Sequence, residues 1–449
     1  MRDVVLILLT LTLSFMAIRR PVVGMLAFVG YGLLSPHVFT WGIARSMPHS
    51  LILAVCTIIG VMFNREAKTI PLEKETILLV LLWALFGVST VFAIEQEAAS
   101  RQYLLVTKIL FMVLLSTTLI RSEENLHALF RVIGLALGVY AIKGGVWFFR
   151  TGGEGTVEAP EGGFLSANNS LGVALVMNLA FLYYLVKAED NPWLRRLFQL
   201  MFWLSYPAIL GTYSRGAWLG AGAVSVLLFL RVKHKFALIA ASVVLFVVIS
   251  PWFSGMGSER LQQRAGTLQN MEAENSAQQR LDSWTYCFRV GLQSPVFGGG
   301  FDFHSRSTIE KYYPEILDRW EGKVWSCHSS WFTLWSEHGI PGFLVWLALL
   351  MSSLATVKSL KYKLRTVPKD SNLHLWPALL QGSIVGYLVS ATFVDFAYFD
   401  LFFQIVAAIV ILSGILNRKL RMIQEGADPR GASQLRTSMV PSMASSWGR

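Results

Sequence analysis

The 449-residue sequence predicts an all-α polytopic membrane protein of twelve, or thirteen, transmembrane helices with one large helical periplasmic loop. Three observations carry this reading. The chain is 54% hydrophobic and 15% charged, with mean hydropathy +0.50, more apolar surface than a water-soluble fold can cover. Apolar runs of about 16–24 residues recur, the length that a hydrocarbon core roughly 30 Å thick requires of a helix. A single long polar stretch, 254–336, interrupts them.

In chain order the spans fall near 3–18, 21–35, 49–64, 76–94, 102–120, 126–149, 166–187, 197–213, 215–231, 236–253, 338–357, 374–396 and 399–417. The first two are short and flank Arg19, Arg20 and Pro21, so they form either one irregular unit or a hairpin. No small-residue cleavage site follows residues 3–18, which excludes a cleavable signal peptide. Four regions result: N-terminal membrane helices (1–253), a loop with amphipathic helices (254–337), C-terminal membrane helices (338–417) and a disordered tail (418–449) rich in Ser, Arg, Gly and Pro.

The net charge of +11 reports topology, not a nucleic-acid partner. Residues 231–235, 358–370 and 418–449 carry +3, +4 and +4, which is all of it, and the positive-inside bias makes these segments cytoplasmic. Counting back, loops at 254–337, 394–398, 212–215, 150–165 and 95–101 lie outside. Thirteen spans put the N-terminus outside and twelve put it inside. Cys56 falls in a span as a small core residue. Cys287 and Cys327 fall in the outer loop, where an oxidising compartment permits either a disulfide or two free thiols.

The outer loop is close to neutral, with eight basic and nine acidic residues over 254–328, so single arginines matter more than the total. Residues 279–292 read as an amphipathic helix with Leu281, Trp284, Phe288 and Leu292 near one stripe. Arg280 and Arg289, nine residues apart, project about 180° apart at roughly 100° per residue, so only one faces a given site. Arg280, one turn from Trp284, is the choice. A Gly-rich turn at 294–300 ends that helix. A second helix spans 328–338, where Trp331, Trp335 and His338 share a face, and Gly339, Pro341 and Gly342 break it.

Other polar signals map to the same side: Arg215 at a junction of two spans, Asn168 and Asn169 opening another, Lys143 and Arg150 near a helix end, and Asp395 and Asp400 about the last turn. Each has a structural alternative. Arg215 can be a snorkelling anchor, Arg289 half of an ion pair, His304 and His328 loop or capping residues, and Asn169 a cap. Ser214 lacks the glycine-flanked elbow of a nucleophilic serine, and no phosphate-loop, HExxH, CxxC or DxD-type motif is present. The expected chemistry uses no cofactor and no metal.

These segments in this order resemble the O-antigen ligase family, within the superfamily of O-antigen polymerases and protein O-glycosylation ligases. The elements are Asn169 to Gly172 (NSLG), Ser214 to Trp218 (SRGAW), Arg280 to Trp284 (RLDSW), Pro295 to Gly300 (PVFGGG) and the histidine segment 328–342. Residues 19–24, Pro36, His37 and 40–42 resemble the exosortase-associated subgroup, which leaves the acceptor open. The resemblance implies a glycan donor on undecaprenyl pyrophosphate, a lipid A–core acceptor held in membrane lipid, and a bacterial inner-membrane enzyme whose active site faces the periplasm. It assigns Arg215 and Arg280 to the pyrophosphate and His338 to the acceptor's proton, with Asn169, Trp331, Trp335, Lys143 and Arg289 as further substrate contacts. The alternatives are a polymerase, a protein O-glycosylation ligase, or a transporter of lipid-linked saccharides.

Overall fold

Capping residues and breakers set where the helices end, and the computed structural model describes residues 1–64, 69–231, 271–320, 322–368 and 371–425. The N-terminal half holds α1 (Arg2–Arg19), α2 (Pro21–Leu34), α3 (His49–Phe63), α4 (Lys74–Val91), α5 (Gln96–Leu119), α6 (Glu123–Arg150), α7 (Asn168–Ala188), α8 (Pro192–Gly211) and α9 (Arg215–Phe229). Then follow α10 (Met271–Gln293), α11 (Arg306–Tyr312), α12 (Glu315–Arg319), α13 (Ser330–Lys363), α14 (Trp376–Ala391) and α15 (Asp400–Gln424). The described residues contain no strand. Ser122, Asn191 and Ser214 accept backbone N–H bonds at the starts of α6, α8 and α9, satisfying donors that a helix leaves open.

Among the described residues six helices are long and apolar enough to cross a membrane: α4, α5, α6, α7, α13 and α15. Shorter apolar helices are α2, α3 and α9. The expected span at 236–253 lies outside the described residues. The last helix runs to Gln424, beyond the expected end at 417, so the first residues of the expected tail are helical. Arg421 in its last turn suits the negative end of the helix dipole.

Arg20 breaks α1 from α2, and the two pack on each other and on α3 as a hairpin-based unit with its own small core of Leu6, Tyr31, Ala44 and Leu53. In the main bundle α6 packs on α8, α14 on α7 and α9, α13 on α4, and α15 on α5. At one end, the buried Glu75 of α4 accepts bonds from Ser352 (2.7 Å) and Thr356 (2.6 Å) of α13. The opposite end gathers the turns that carry the candidate site. There, residues 278–320 and 322–330 form a cap with a separate core of Tyr286, Cys287, Val290, Phe303, Ile309, Tyr312, Ile316 and Cys327. Leu281, Phe288 and Leu292 of the expected stripe stay exposed, and the buried face of α10 is instead Asp282, Ser283, Tyr286, Cys287 and Val290.

Candidate active site

Arg215 is the first residue of α9, and a tight turn puts it there. Tyr213 adopts a left-handed φ of 53°, and the Ser214 hydroxyl accepts from Ala217 N at 3.4 Å. Ser214 is therefore spent as a helix cap. Gly216 lets this start press on the 392–399 turn, since a Cβ there would stand 3.0 Å from Phe393 Cβ. Asn169 stands on the first turn of the neighbouring α7, whose Asn168 donates to Thr212 O at 2.9 Å. A Cβ on Gly172 would meet Ala217 Cβ at 2.7 Å, so these two helix starts are held close together.

Arg280 reaches the same place from the cap. Burial first, and the charge of Arg215 second, push its guanidinium below the usual pKa. Both arginines are half-buried, and among the described residues neither has an ion-pair or hydrogen-bond partner. Two like charges near each other without a counter-ion form a ready site for an anion with several oxygens. Neighbouring Asp282 does not neutralise Arg280. It is buried and takes two 2.8 Å bonds from Arg319 and one of 2.8 Å from the Trp320 indole. Trp284, one turn on, stacks on Phe332 at 5.4 Å and faces Phe393 at 6.4 Å.

His328 stands beside this pair. Its φ of 51° is left-handed, a strained choice for a non-glycine residue. Burial and then the charge of Arg280 hold its imidazole below the usual value, which favours the neutral ring. Among the described residues neither ring nitrogen of His328 has a hydrogen-bond partner. His304 lies further along, pushed down to about 4 by burial and then by His328. Asp395, in the 392–399 turn, is pushed up to about 6 by burial and accepts from Thr333 at 2.8 Å.

Cys287 and Cys327 form a disulfide with Cα atoms 5.8 Å apart. It fastens α10, two turns after Arg280, to the residue preceding His328. Cys287, His304 and Cys327 are the described group with metal-ligand spacing, and both of its sulfurs are taken by this bond.

The remaining expected residues are engaged with other partners. His338 is enclosed at the C-terminal end of α4, its ring centroid 4.2 Å from that of Phe86 and 4.6 Å from that of Phe301. Its Nδ1 is 2.6 Å from the Ser89 hydroxyl and its Nε2 is 2.7 Å from the Tyr398 hydroxyl. The Gly-rich segment clasps its helix end: Gly299 N bonds Ser336 O at 2.7 Å and Gly300 N bonds Glu337 O at 3.0 Å. Gly339 has φ 62°, which breaks α13 where the sequence placed the break. The Trp331 indole donates to Thr392 at 3.1 Å, and the Trp335 indole donates to Phe288 O at 3.2 Å against Gly291. Arg289 lies over the Tyr313 ring at 4.1 Å and 3.7 Å from Glu315. Lys143 sits 4.1 Å over the Phe39 ring in a separate cleft of ≈ 320 Å³ with Trp147 and Glu158.

His328 is the residue that sequence reasoning passed over. The sequence offers it as a loop or capping residue, because loops carry no periodicity to show what a side chain meets. Its available signal was a position at the head of the histidine segment, next to Cys327.

Apolar helices of this length and composition are those of a membrane protein, and the bundle collects the two unpaired arginines and His328 at one end. The comparison with known families is more specific. Residues 200–347 match the O-antigen ligase family, and residues 1–172 match a family of unknown function. The first match covers about a third of the chain and supports membership in the O-antigen ligase family. No curated protein sequence matches the chain.

Proposed function

We propose that the protein transfers a glycan from undecaprenyl pyrophosphate to lipid A–core oligosaccharide at the periplasmic face of the bacterial inner membrane, anchored by twelve or thirteen spans. The observation that carries this reading is the pair Arg215 and Arg280, left without a counter-ion at the mouth of the bundle. A pyrophosphate leaving group requires charge neutralisation more than a proton. Paired guanidinium groups supply it through bidentate charge-assisted bonds, aided by the positive start of α9. Asn169, on the adjoining helix start, is suited to a neutral contact with the same group.

His328 takes the proton of the attacking sugar hydroxyl as that oxygen displaces the pyrophosphate at the anomeric carbon with inversion. Support for this comes from its ring nitrogens, which have no hydrogen-bond partner among the described residues, and from the depressed pKa that keeps it neutral. General-base help of this kind is worth about 10²–10⁴-fold. A second reading keeps His338 as the base, reached through the Tyr398 hydroxyl on its Nε2.

The test is transfer by purified protein in proteoliposomes holding undecaprenyl-pyrophosphate-linked glycan and lipid A–core. A ladder of glycosylated lipid A–core from wild type, lost in Arg280→Ala and His328→Ala, is the expected result. Loss in His338→Ala with activity kept in His328→Ala moves the base to His338. Polymerised donor or glycosylated protein in place of the ladder changes the acceptor. Flipped donor with no covalent product makes the protein a transporter.

A further inference from the structure

One side of α10 is apolar and faces away from the core of the cap. Leu281, Phe288 and Leu292 are 52%, 46% and 54% exposed. With Thr285 they stand at i, i+4, i+7 and i+11, within an arc of about 60° at roughly 100° per residue. The Thr285 hydroxyl, inside that arc, donates to Leu281 O at 2.8 Å, so its polarity is spent within the helix. The charge that follows Phe288 is turned off the arc, since Arg289 lies over the Tyr313 ring at 4.1 Å and 3.7 Å from Glu315. An exposed apolar strip of this kind marks a partner or a lipid surface.

The strip does not end with the helix. Val296 and Phe297, in the turn that follows, are exposed as well, and Phe297 stacks at 4.1 Å on Phe92, the residue that follows α4. At the middle of the strip, Phe288 stacks on Trp335 at 5.8 Å, and Trp335 meets Phe343 edge-on at 6.2 Å. The Trp335 indole N–H is itself spent on Phe288 O. Phe343 lies just past the Gly339 break, on the part of α13 that carries the exposed Ile340, Leu344 and Met351. Both α4 and α13 are long and apolar enough to cross a membrane. The free side of α10 is thus continuous with the sides that these two helices turn away from the bundle, and what covers them covers it too.

We propose that the exposed side of α10 is seated in the bilayer, at the hydrocarbon boundary on the face that carries the candidate site, and that its occupant is lipid. An amphipathic helix lies in the plane of this boundary with its apolar side among the acyl chains. The seat has a consequence for the arginine pair, which rests on the ligase reading. Leu281 directly follows Arg280, so burying Leu281 at the boundary fixes Arg280 at the level of the lipid phosphates. The pyrophosphate of a lipid-linked donor lies at that level as well. Leu281 and Leu292 are positioning residues, acting on the site through the helix that carries Arg280.

The test uses the full chain with Cys56→Ser and the Cys287–Cys327 disulfide intact. A nitrobenzoxadiazole fluorophore is placed on Leu281→Cys, on Leu292→Cys or, as a control on the charged, exposed side of α11, on Glu310→Cys. The protein is held in nanodiscs of phosphatidylcholine that carries a nitroxide on its acyl chain. The labels at 281 and 292 should be quenched by the lipid and shielded from aqueous iodide, and the label at 310 should show the reverse. Labels at 281 and 292 that iodide quenches and the lipid does not would leave the strip in water and overturn the seat. Labels shielded from both would put a second copy or another protein on the strip, which overturns it equally.

Transfer in proteoliposomes tests the consequence. Leu281→Gln combined with Leu292→Gln should lower transfer several-fold while the melting temperature in detergent holds. Leu281→Met combined with Leu292→Met should keep the wild-type rate. Lipid-quenched labels together with unchanged transfer in the Gln variant would overturn the link to Arg280. If wild type forms no glycan product, the ligase reading fails and the quenching still judges the seat.

Discussion

Removing Arg280 should move activity and stability in opposite directions. Arg280 is half-buried, is depressed by burial and by Arg215, and has no partner among the described residues, so in the free protein it is a net electrostatic cost. Replacing it with Ala relieves a like-charge contact, a term of less than about 1 kcal/mol for groups with this much solvent access. The melting temperature should therefore hold or rise slightly. Transfer should fall about 10²–10³-fold, or about 2.7–4 kcal/mol, the loss expected when one well-placed charge-stabilising donor is removed. Arg280→Lys keeps the charge and loses the planar fork, so it should fall between the two. Arg289→Ala is the control on the same helix. It removes an exposed ion pair with Glu315 and should leave transfer near wild type. The assays are product yield in proteoliposomes and thermal unfolding followed by tryptophan fluorescence in detergent. A melting temperature that drops together with activity would show that Arg280 braces the fold, and near-wild-type transfer would remove it from the site. Either result refutes the clamp.

Three further outcomes follow from the same geometry. The base at His328 must be neutral, so transfer is present above its depressed pKa and is lost as pH falls through it, at a pH below the usual 6.5; replacing Arg280 removes one cause of that depression and should raise the His328 pKa, read by NMR titration. Reducing the Cys287–Cys327 disulfide, which closes a separation of 40 residues, should destabilise the cap by on the order of 3–4 kcal/mol, seen as a lower melting temperature in reductant. Gly298→Ala would place a Cβ 2.4 Å from the Glu337 carbonyl carbon at a φ of 69° and should cost about 1–3 kcal/mol, with transfer falling through the displaced α13.

Much of the helical fold was legible because helix ends in this chain are marked by residues suited to start or break them, such as Pro21, Ser214 and Gly339. The break at Gly339 fell where its sequence context put it, since no other residue takes φ 62° there against Pro295 O without strain. The direction a stripe faces was not legible. Leu281, Phe288 and Leu292 do share a side of α10, but the cap core forms on the side of Tyr286, Cys287 and Val290. Trp331, Trp335 and His338 share a side of α13, yet the helix meets the end of α14, then α10, then α4 along its length, so the three side chains have unrelated partners. Periodicity reports which residues point together and says nothing of what they point at. The opposition of Arg280 and Arg289 is the complementary case. Helix geometry required them to diverge, and their surroundings assign one to Arg215 and the other to Glu315.

Unpaired arginines also account for the rigidity built around them. Two guanidinium groups that repel each other on mobile supports would swing into solvent, and binding an anion would then have to reassemble them at an entropic cost. Each support here is fixed close to the arginine it carries. Arg215 follows the Ser214 cap, and Gly216 locks its helix start against the 392–399 turn. Arg280 is two residues from Asp282, whose buried carboxylate is held by Arg319 and Trp320, and two turns from the Cys287 disulfide. The loop's own ion pair thus lies beside the arginine pair without cancelling it. Asp282 satisfies a brace, leaves Arg280 uncompensated, and so keeps the positive field open for a ligand that brings its own negative charge. Such preorganisation lets charge stabilisation act on the leaving group without rearrangement at the moment of transfer.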